Sequence, residues 1–283
     1  STAGASNFDG SIQTVAKANQ TKGFSIVTWN GTGNAGSIGH GLGSTPKWML
    51  VKRRTGGSAY WEVYHTSVGA AKVLYLNTSD AEASSSASWN NTEPTSSVFT
   101  VGNSSGTNAS GSTYVGYIWS EVAGFSKFGS YSGSGVSGKE ITLGFKPAWI
   151  MIKSTGSQTD WWIWDSARGN NKFLLAGSSA GGNTNDAVIG NYPMNATSTG
   201  FTIDNTADLN TSGVNYIYMA FAENTPGEGC DSLVDTPEQR ADQTDDGAGG
   251  NVVGNYATLN PVAADSGYTL SNGNLDASGN VVQ

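Results

Sequence analysis

One cysteine, Cys230, and two histidines, His40 and His65, are all that 283 residues contain of those types. A lone thiol closes no internal disulfide, so cohesion has to come from packing and hydrogen bonds, and the cysteine does not report the compartment. Two histidines on separate segments give no ligand set of zinc type and little for a serine triad to draw on. No metal site and no catalytic residue is therefore expected. Charged residues make up only 13% of the chain, about half the usual share. The net charge is −8 and no basic cluster exceeds Lys52-Arg53-Arg54. Nothing there can neutralise a phosphate backbone, which argues against nucleic acid as a partner. Apolar runs such as Ala148 to Ile152 are far too short to span a bilayer, so no membrane insertion is expected. The first residues mix Ser, Asp, Gln and Lys in place of a secretory leader. The chain opens on Ser1 rather than Met, as expected of a processed product or a piece of something longer.

What is abundant is turn and strand material. There are 39 glycines, and nine Trp, eleven Tyr and nine Phe supply core volume without Leu-rich segments. Helix formers are scarce, so the class reads as all-β. The length leaves room for about two domains.

Self-similarity sets the organisation. Gly23-Phe24-Ser25 recurs as Gly124-Phe125-Ser126, and Pro46, Trp48 and Lys52 recur as Pro147, Trp149 and Lys153. Trp61 pairs with Trp162 at the same spacing of 101. One residue later in phase, Phe99, Asn108, Gly111, Tyr114 and Glu121 recur as Phe201, Asn210, Gly213, Tyr216 and Glu223. A single net insertion in a hundred residues is the mark of a duplicated domain. Strands are expected at 24–29, 48–54, 59–65, 72–77, 97–101 and 113–120, and again at 125–131, 148–154, 160–165, 172–176, 200–204 and 214–222. Short strands between Gly, Ser, Asn and Asp clusters predict two tandem antiparallel β-sandwiches with no helix inside either. The parts are an N-terminal extension (1–22), repeat one (23–123), repeat two (124–224), an acidic linker (225–250) and an extended C-terminal segment (251–283). That last segment would gain most by adding strands to a neighbouring sheet edge. Thr236-Pro237-Glu238 could start a short helix in the linker.

Alternation assigns the faces. In 60–64, Glu62 should face water with Tyr60 and Tyr64, which points Trp61 and Val63 into the core. The repeat then points Trp162 and Trp164 inward. Trp161 and Ile163 fall on the opposite face, which either touches solvent or is covered by another domain or chain.

Few motifs carry chemistry. Gly31 to Gly36 spells G-x-G-x-x-G, but no helix is expected after it, so a nucleotide loop is not supported. The linker carboxylates could hold Ca2+, although they lack the ordered spacing of a calcium loop. Asn-x-Ser/Thr triplets begin at Asn19, Asn30, Asn77, Asn90, Asn103, Asn108, Asn195 and Asn210, as chance provides in such a composition. Tyr60, Trp89, Trp119 and Trp161 are the candidate ligand-binding residues, because aromatics outside the core pattern can stack on sugar rings. The competing reading has them seal the two repeats or subunits together.

The repeat unit resembles a domain of tailed-phage structural proteins, above all the tail-fibre-like proteins of marine and cyanobacterial phages. The resemblance lies in Gly23 to Thr28, Gly39-His40-Gly41-Leu42-Gly43 with Pro46, Gly124 to Tyr131, Pro147 to Lys153 and Tyr216 to Asn224, and covers about residues 23–224. Asp231 to Pro237, Asn255 to Pro261 and Leu270 to Leu275 also look familiar; in similar proteins such a stretch leads into a further lectin-like β-domain. The resemblance implies a non-enzymatic structural or adhesive role in a virion fibre, on the virion or otherwise extracellular. It implies self-association, as a trimer or a linear stack, or contact with other virion proteins. A carbohydrate-binding module gripping host-surface glycans is the alternative, followed by a subunit of a cellular extracellular filament; a polysaccharide-cleaving tailspike is the enzymatic one.

Overall fold

The structure, a computed structural model, describes residues 4–169, 172–176 and 194–223, with the main chain of 268–271 and 276–279. The chain divides into two units, Ser1–Glu223 and Asn224–Gln283. In the second unit Tyr268–Ser271 and Asp276–Gly279 pair with each other as an antiparallel ladder. The acidic linker, with Cys230, the proposed short helix and any Ca2+ site, lies outside the described residues.

The first unit begins with β1 (Ala5–Asn7), β2 (Thr14–Asn19), β3 (Phe24–Asn30), β4 (Gly36–Gly39), β5 (Trp48–Arg53), β6 (Trp61–His65), β7 (Lys72–Tyr75) and β8 (Ala83–Ser84). The one-turn helix α1 (Ser86–Trp89) follows, then β9 (Val98–Val101) and β10 (Thr113–Trp119). Repeat two holds β11 (Ser126–Ser132), β12 (Lys139–Thr142), β13 (Pro147–Ser154), β14 (Trp161–Asp165), β15 (Leu174–Ala176), β16 (Met194–Thr197), β17 (Gly200–Ile203) and β18 (Asn215–Ala222). The large sheet of repeat one runs β1-β2-β3-β10-β5-β6-β7-β8, and that of repeat two runs β11-β18-β13-β14-β15. Small sheets β4-β9 and β12-β17-β16 face them. Stripped of β1, β2 and β8, the first order maps onto the second strand for strand. The fold is all-β, two tandem antiparallel sandwiches from one duplication.

Each sandwich closes over its own core. Ile38, Phe99 and Val101 of the small sheet meet Val27, Trp29, Met49, Val51, Tyr64 and Tyr114 in repeat one. Ile141, Phe201 and Ile203 meet Ile150, Ile152, Trp164 and Tyr216 in repeat two. The same two side chains pin the connecting loops in both. Asn108 is buried, accepts from Thr32 N and donates to the carbonyls of Asn34 and Gly102. Asn210 accepts from Ser134 N and donates to those of Val136 and Asn205. The Tyr114 hydroxyl accepts from Ala109 N and donates to Ser105 O, as Tyr216 does with Thr211 N and Asp208 O. The glycine-rich Gly31–Gly36 loop is thus a turn held by Asn108, leading into β4 and not into a helix. Asn108 and Asn210, both fully buried, present no amide for a glycan.

Several expectations are corrected. The N-terminal extension is not appended but adds β2, and through it β1, to the edge of β3. Strands β4, β12 and β16 lie outside the expected strands; as GSIG, KEIT and MNAT they carry almost no alternation. A helical turn does occur, capped by Ser85 and closed by Asn90 in the left-handed region at φ 51°, too short to leave a periodic trace. On β6 the faces are reversed: Tyr64 lies in the core of repeat one, and Glu62 points inward and is 4% exposed. Val63 points outward and is buried by repeat two. A strand covered on both faces has no wet side, so the charged residue could not mark one. Glu62 is accommodated because Ser104 donates to it at 2.9 Å and because Gly106 lacks a side chain; a Cβ there would sit 2.6 Å from the Glu62 carboxyl carbon. Trp162 and Trp164 do face inward, as expected.

The pairing of Trp61 with Trp162 is also off by one. Trp48 lies opposite His65 and Trp149 opposite Asp165, so β6 and β14 correspond at a spacing of 100. Trp61 is therefore the counterpart of Trp161, and Glu62 of Trp162. A residue lost in the preceding turn restores the Trp to its face.

Candidate functional site

The outer face of each large sheet, the one turned away from its small sheet, is where the two repeats meet. Strand pairing reads that face as rows. In repeat one, Trp61, Lys52, Val115, Thr28 and Val15 form one row across β6, β5, β10, β3 and β2. Val63, Leu50, Tyr117, Ile26 and Lys17 form the next, and His65, Trp48, Trp119, Phe24 and Asn19 the third. Repeat two repeats the chemistry: Lys153, Ile217 and Ser130 beside Trp161; then Ile163, Met151, Met219 and Phe128; then Asp165, Trp149, Phe221 and Ser126.

The repeats are joined through these faces. Trp48, Val63 and Leu74 pack with Phe128, Trp161, Ile217 and Met219 in one buried apolar cluster. Trp48 and Trp161 meet edge to face at 5.8 Å. Around them the seam is stitched by polar contacts: Trp161 Nε1 donates to Tyr75 O at 2.9 Å, Thr159 N to Ser79 O at 2.9 Å and Glu82 N to Thr155 O at 2.8 Å. Lys153 is fully buried, and its Nζ donates to Ser79 O across the seam and to Thr159 O within its own repeat, at 3.1 and 2.7 Å. Burial lowers its pKa to about 8, against the opposing pull of Asp160 and Asp80. His65 is also fully buried. Burial lowers its pKa to about 4, with a smaller opposing effect from the Tyr218 main chain. Its Nδ1 accepts from Ser67 N, just as His40 Nδ1 accepts from Leu42 N. Both histidines hold turns in the neutral form.

Two clefts open along the seam. One, of about 200 Å³, is wholly apolar and lined among others by Trp48, Leu50, Trp119, Trp149, Met219 and Phe221. The other, of about 450 Å³, is polar, with Ser67, Lys72, Glu82, Tyr131, Thr155 and Asn215 on its walls. There Lys72 pairs with Glu82, and Tyr131 stacks on Tyr216 at 4.9 Å. Tyr131 donates to Leu209 O, and burial followed by the neighbouring Tyr216 holds its pKa well above the ordinary value.

The four aromatics singled out in sequence do not converge. Trp89 lies in the core of repeat one and Trp161 in the seam; both are 0% exposed and can stack on no ligand. Trp161 seals the two repeats together, the competing reading, whereas Trp89 fills the core of repeat one, where neither reading placed it. Tyr60 is 52% exposed and packs on Tyr75 at 4.7 Å. Of the four, Trp119 lines the apolar cleft of the seam. Sequence reasoning missed Trp149, Tyr131 and Lys153. The Lys153 signal was present, a lysine repeated from Lys52 inside an apolar strand, but the same spelling serves a half-buried side chain in one repeat and a fully buried one in the other. It also missed that Gly102-Asn103-Ser104-Ser105-Gly106 spells Gly-x-Ser-x-Gly. Ser104 sits in a turn after β9 that no helix follows, hydrogen-bonded to Glu62, which is not the strand–turn–helix setting of a nucleophile elbow. Glu62, its second oxygen unpartnered, has its pKa raised by burial, while bonds from Ser88 and Ser104 lower it. Among the described residues no three His, Cys, Asp or Glu side chains gather as a metal site, and no helix is long and apolar enough to cross a membrane.

No curated protein and no solved structure matches the chain. Residues 1–225 match the model of a domain of unknown function, DUF7483, and the chain belongs to that family.

Proposed function

We propose that this chain is a non-enzymatic structural and adhesive component of a phage-type virion fibre or similar extracellular assembly, acting by self-association or by contact with other virion proteins. The observation that carries the reading is how the reactive side-chain types are used at the seam. Lys153, His65 and Trp161, the groups a catalyst or ligand site would expose, are fully buried there and spend their polar atoms mainly on main-chain groups of the joined repeats. Burial of that kind serves cohesion, and the low charge and turn-rich composition suit a component packed among others. The test is electron microscopy of purified native particles labelled with antibody against residues 4–223. Label along a fibre or surface appendage is expected; particles that carry the protein nowhere on their exterior would sink the reading.

A second reading, recognition of host-surface glycans, is favoured by the polar cleft. Its wall combines hydroxyl, amide and charged groups from Ser67, Asn215, Lys72 and Glu82, polar groups of the kind that fix a sugar's orientation. A glycan array read with the native chain and with Lys72→Ala tests it: retention that ignores the substitution removes this cleft.

A further inference from the structure

The outer faces of the two large sheets carry matching chemistry but unequal cover. In repeat two, Trp161, Lys153, Ile217, Phe128 and Met219 are all buried. In repeat one the counterpart positions Trp61, Lys52, Val115 and Tyr117 are only partly covered, and beside them Ile26 is 38% and Val15 45% exposed. The seam is therefore not two-fold. Trp161 reaches across to Trp48 and the Tyr75 carbonyl, whereas its counterpart Trp61 stays within its own sheet, 6.4 Å from Tyr117 and 5.5 Å from the Lys52 ammonium. Repeat one gives the seam its Trp48, Val63 and Leu74 side and leaves the β2, β3 and β10 side open among the described residues.

We propose that this open half-face is an interface for a second copy of this chain, seated on Trp61, Tyr117, Ile26 and Val15. Three observations single out that occupant. The half-face is continuous with an established interface, since Leu50 and Trp119 belong to its rows and also border the seam. Its counterpart in repeat two is a surface that this fold buries against another domain of its own kind. It carries the aromatic and aliphatic groups Trp61, Tyr117, Ile26 and Val15, the composition of an interface core. The N-terminal strands support the inference: β2 widens the sheet on this side and contributes Val15 to the same face.

The inference rests on the reading of the chain as an assembling component, and its test separates the two. The full-length chain, Ile26→Glu, Val15→Glu and the control Val136→Glu are compared by sedimentation equilibrium and melting curves. Ile26 and Val15 are exposed enough for the fold to survive, and Val136, 66% exposed, lies in a turn of repeat two. The native chain is expected at twice its own mass or higher, with association weakened roughly tenfold or more by either face variant, because a charge brought into an apolar contact loses its hydration even with Lys17 beside it. Val136→Glu should associate normally. Association unchanged in both face variants would overturn this interface and leave assembly through another surface. A native chain that stays monomeric at its highest soluble concentration would overturn this interface and leave the assembling role to contact with other virion proteins.

Discussion

Gly129 stands directly opposite Tyr218 on the neighbouring strand, and the tyrosine ring lies over it: a Cβ at Gly129 would fall 2.6 Å from Tyr218 Cζ. The equivalent pair in repeat one is Val27 and Gly116, with the glycine on the other strand. There the ring above the bare position is Trp29, whose Cζ3 would lie 3.2 Å from a Cβ at Gly116. Both repeats keep one residue of this pair without a side chain so that an aromatic can cross the sheet, but each solves it from a different strand. Gly129→Val should cost about 1–3 kcal/mol through overpacking. Paired with Tyr218→Ala, it should show a coupling of about 1 kcal/mol or more in a double-mutant cycle read by urea denaturation. Additive behaviour would mean the ring does not need the glycine.

Lys153 and Lys52 occupy the same cell of the two sheets but different surroundings. Removing the Lys153 side chain leaves Thr159 O without its donor and Ser79 O with only the Thr159 N–H, inside the seam. Lys153→Ala should destabilise the chain by about 2–4 kcal/mol. Lys52 is only partly covered, and its one hydrogen bond goes to Ala59 O. Lys52→Ala should cost under about 1.5 kcal/mol. Equal losses in denaturant titrations would contradict the asymmetry of the seam.

His65 gives that seam a pH dependence. Its pKa is about 4 in the folded chain and 6.5 when exposed, so between those values the unfolded chain binds the extra proton. Stability from this group is complete above pH 6.5 and falls as the pH drops towards 4, by roughly 3 kcal/mol in all. His65→Asn, which keeps an acceptor for Ser67 N and does not titrate, should lose less stability than the native chain over that window. Parallel curves of stability against pH would rule His65 out as the source.

Glu62 works in the opposite direction, since burial raises its pKa. The folded chain then holds the extra proton, and stability falls as the pH rises through the exposed value of 4.5. Glu62→Gln keeps an acceptor for Ser104 and carries no charge. Its stability relative to the native chain should improve as the pH rises from 4 to 7, measured by thermal unfolding; a difference constant with pH would show that the carboxyl does not titrate in that range.

Asn108 and Asn210 should each cost about 2–3 kcal/mol when changed to Ala, because several buried main-chain groups lose their partner together. Mass spectrometry of chain made in a glycosylating host should find both bare.

The duplication, the all-β class and most strands of the large sheets were legible in the amino-acid order, because Pro46, Trp48 and Lys52 return as Pro147, Trp149 and Lys153 and short strands alternate between turn clusters. Asn108 and Tyr114 with their copies could be read as equivalent for the same reason, since local loop chemistry travels with the repeat. Which face of β6 is inside could not be read. Alternation separates two faces but names the wet one only when water touches it, and here a small sheet covers one side and a second sandwich the other. Nor could spelling separate Trp61 from Trp161, or Lys52 from Lys153. Those pairs carry the same side chains in the same cells, and only the off-centre docking of one repeat on the other buries the second of each and leaves the first partly open.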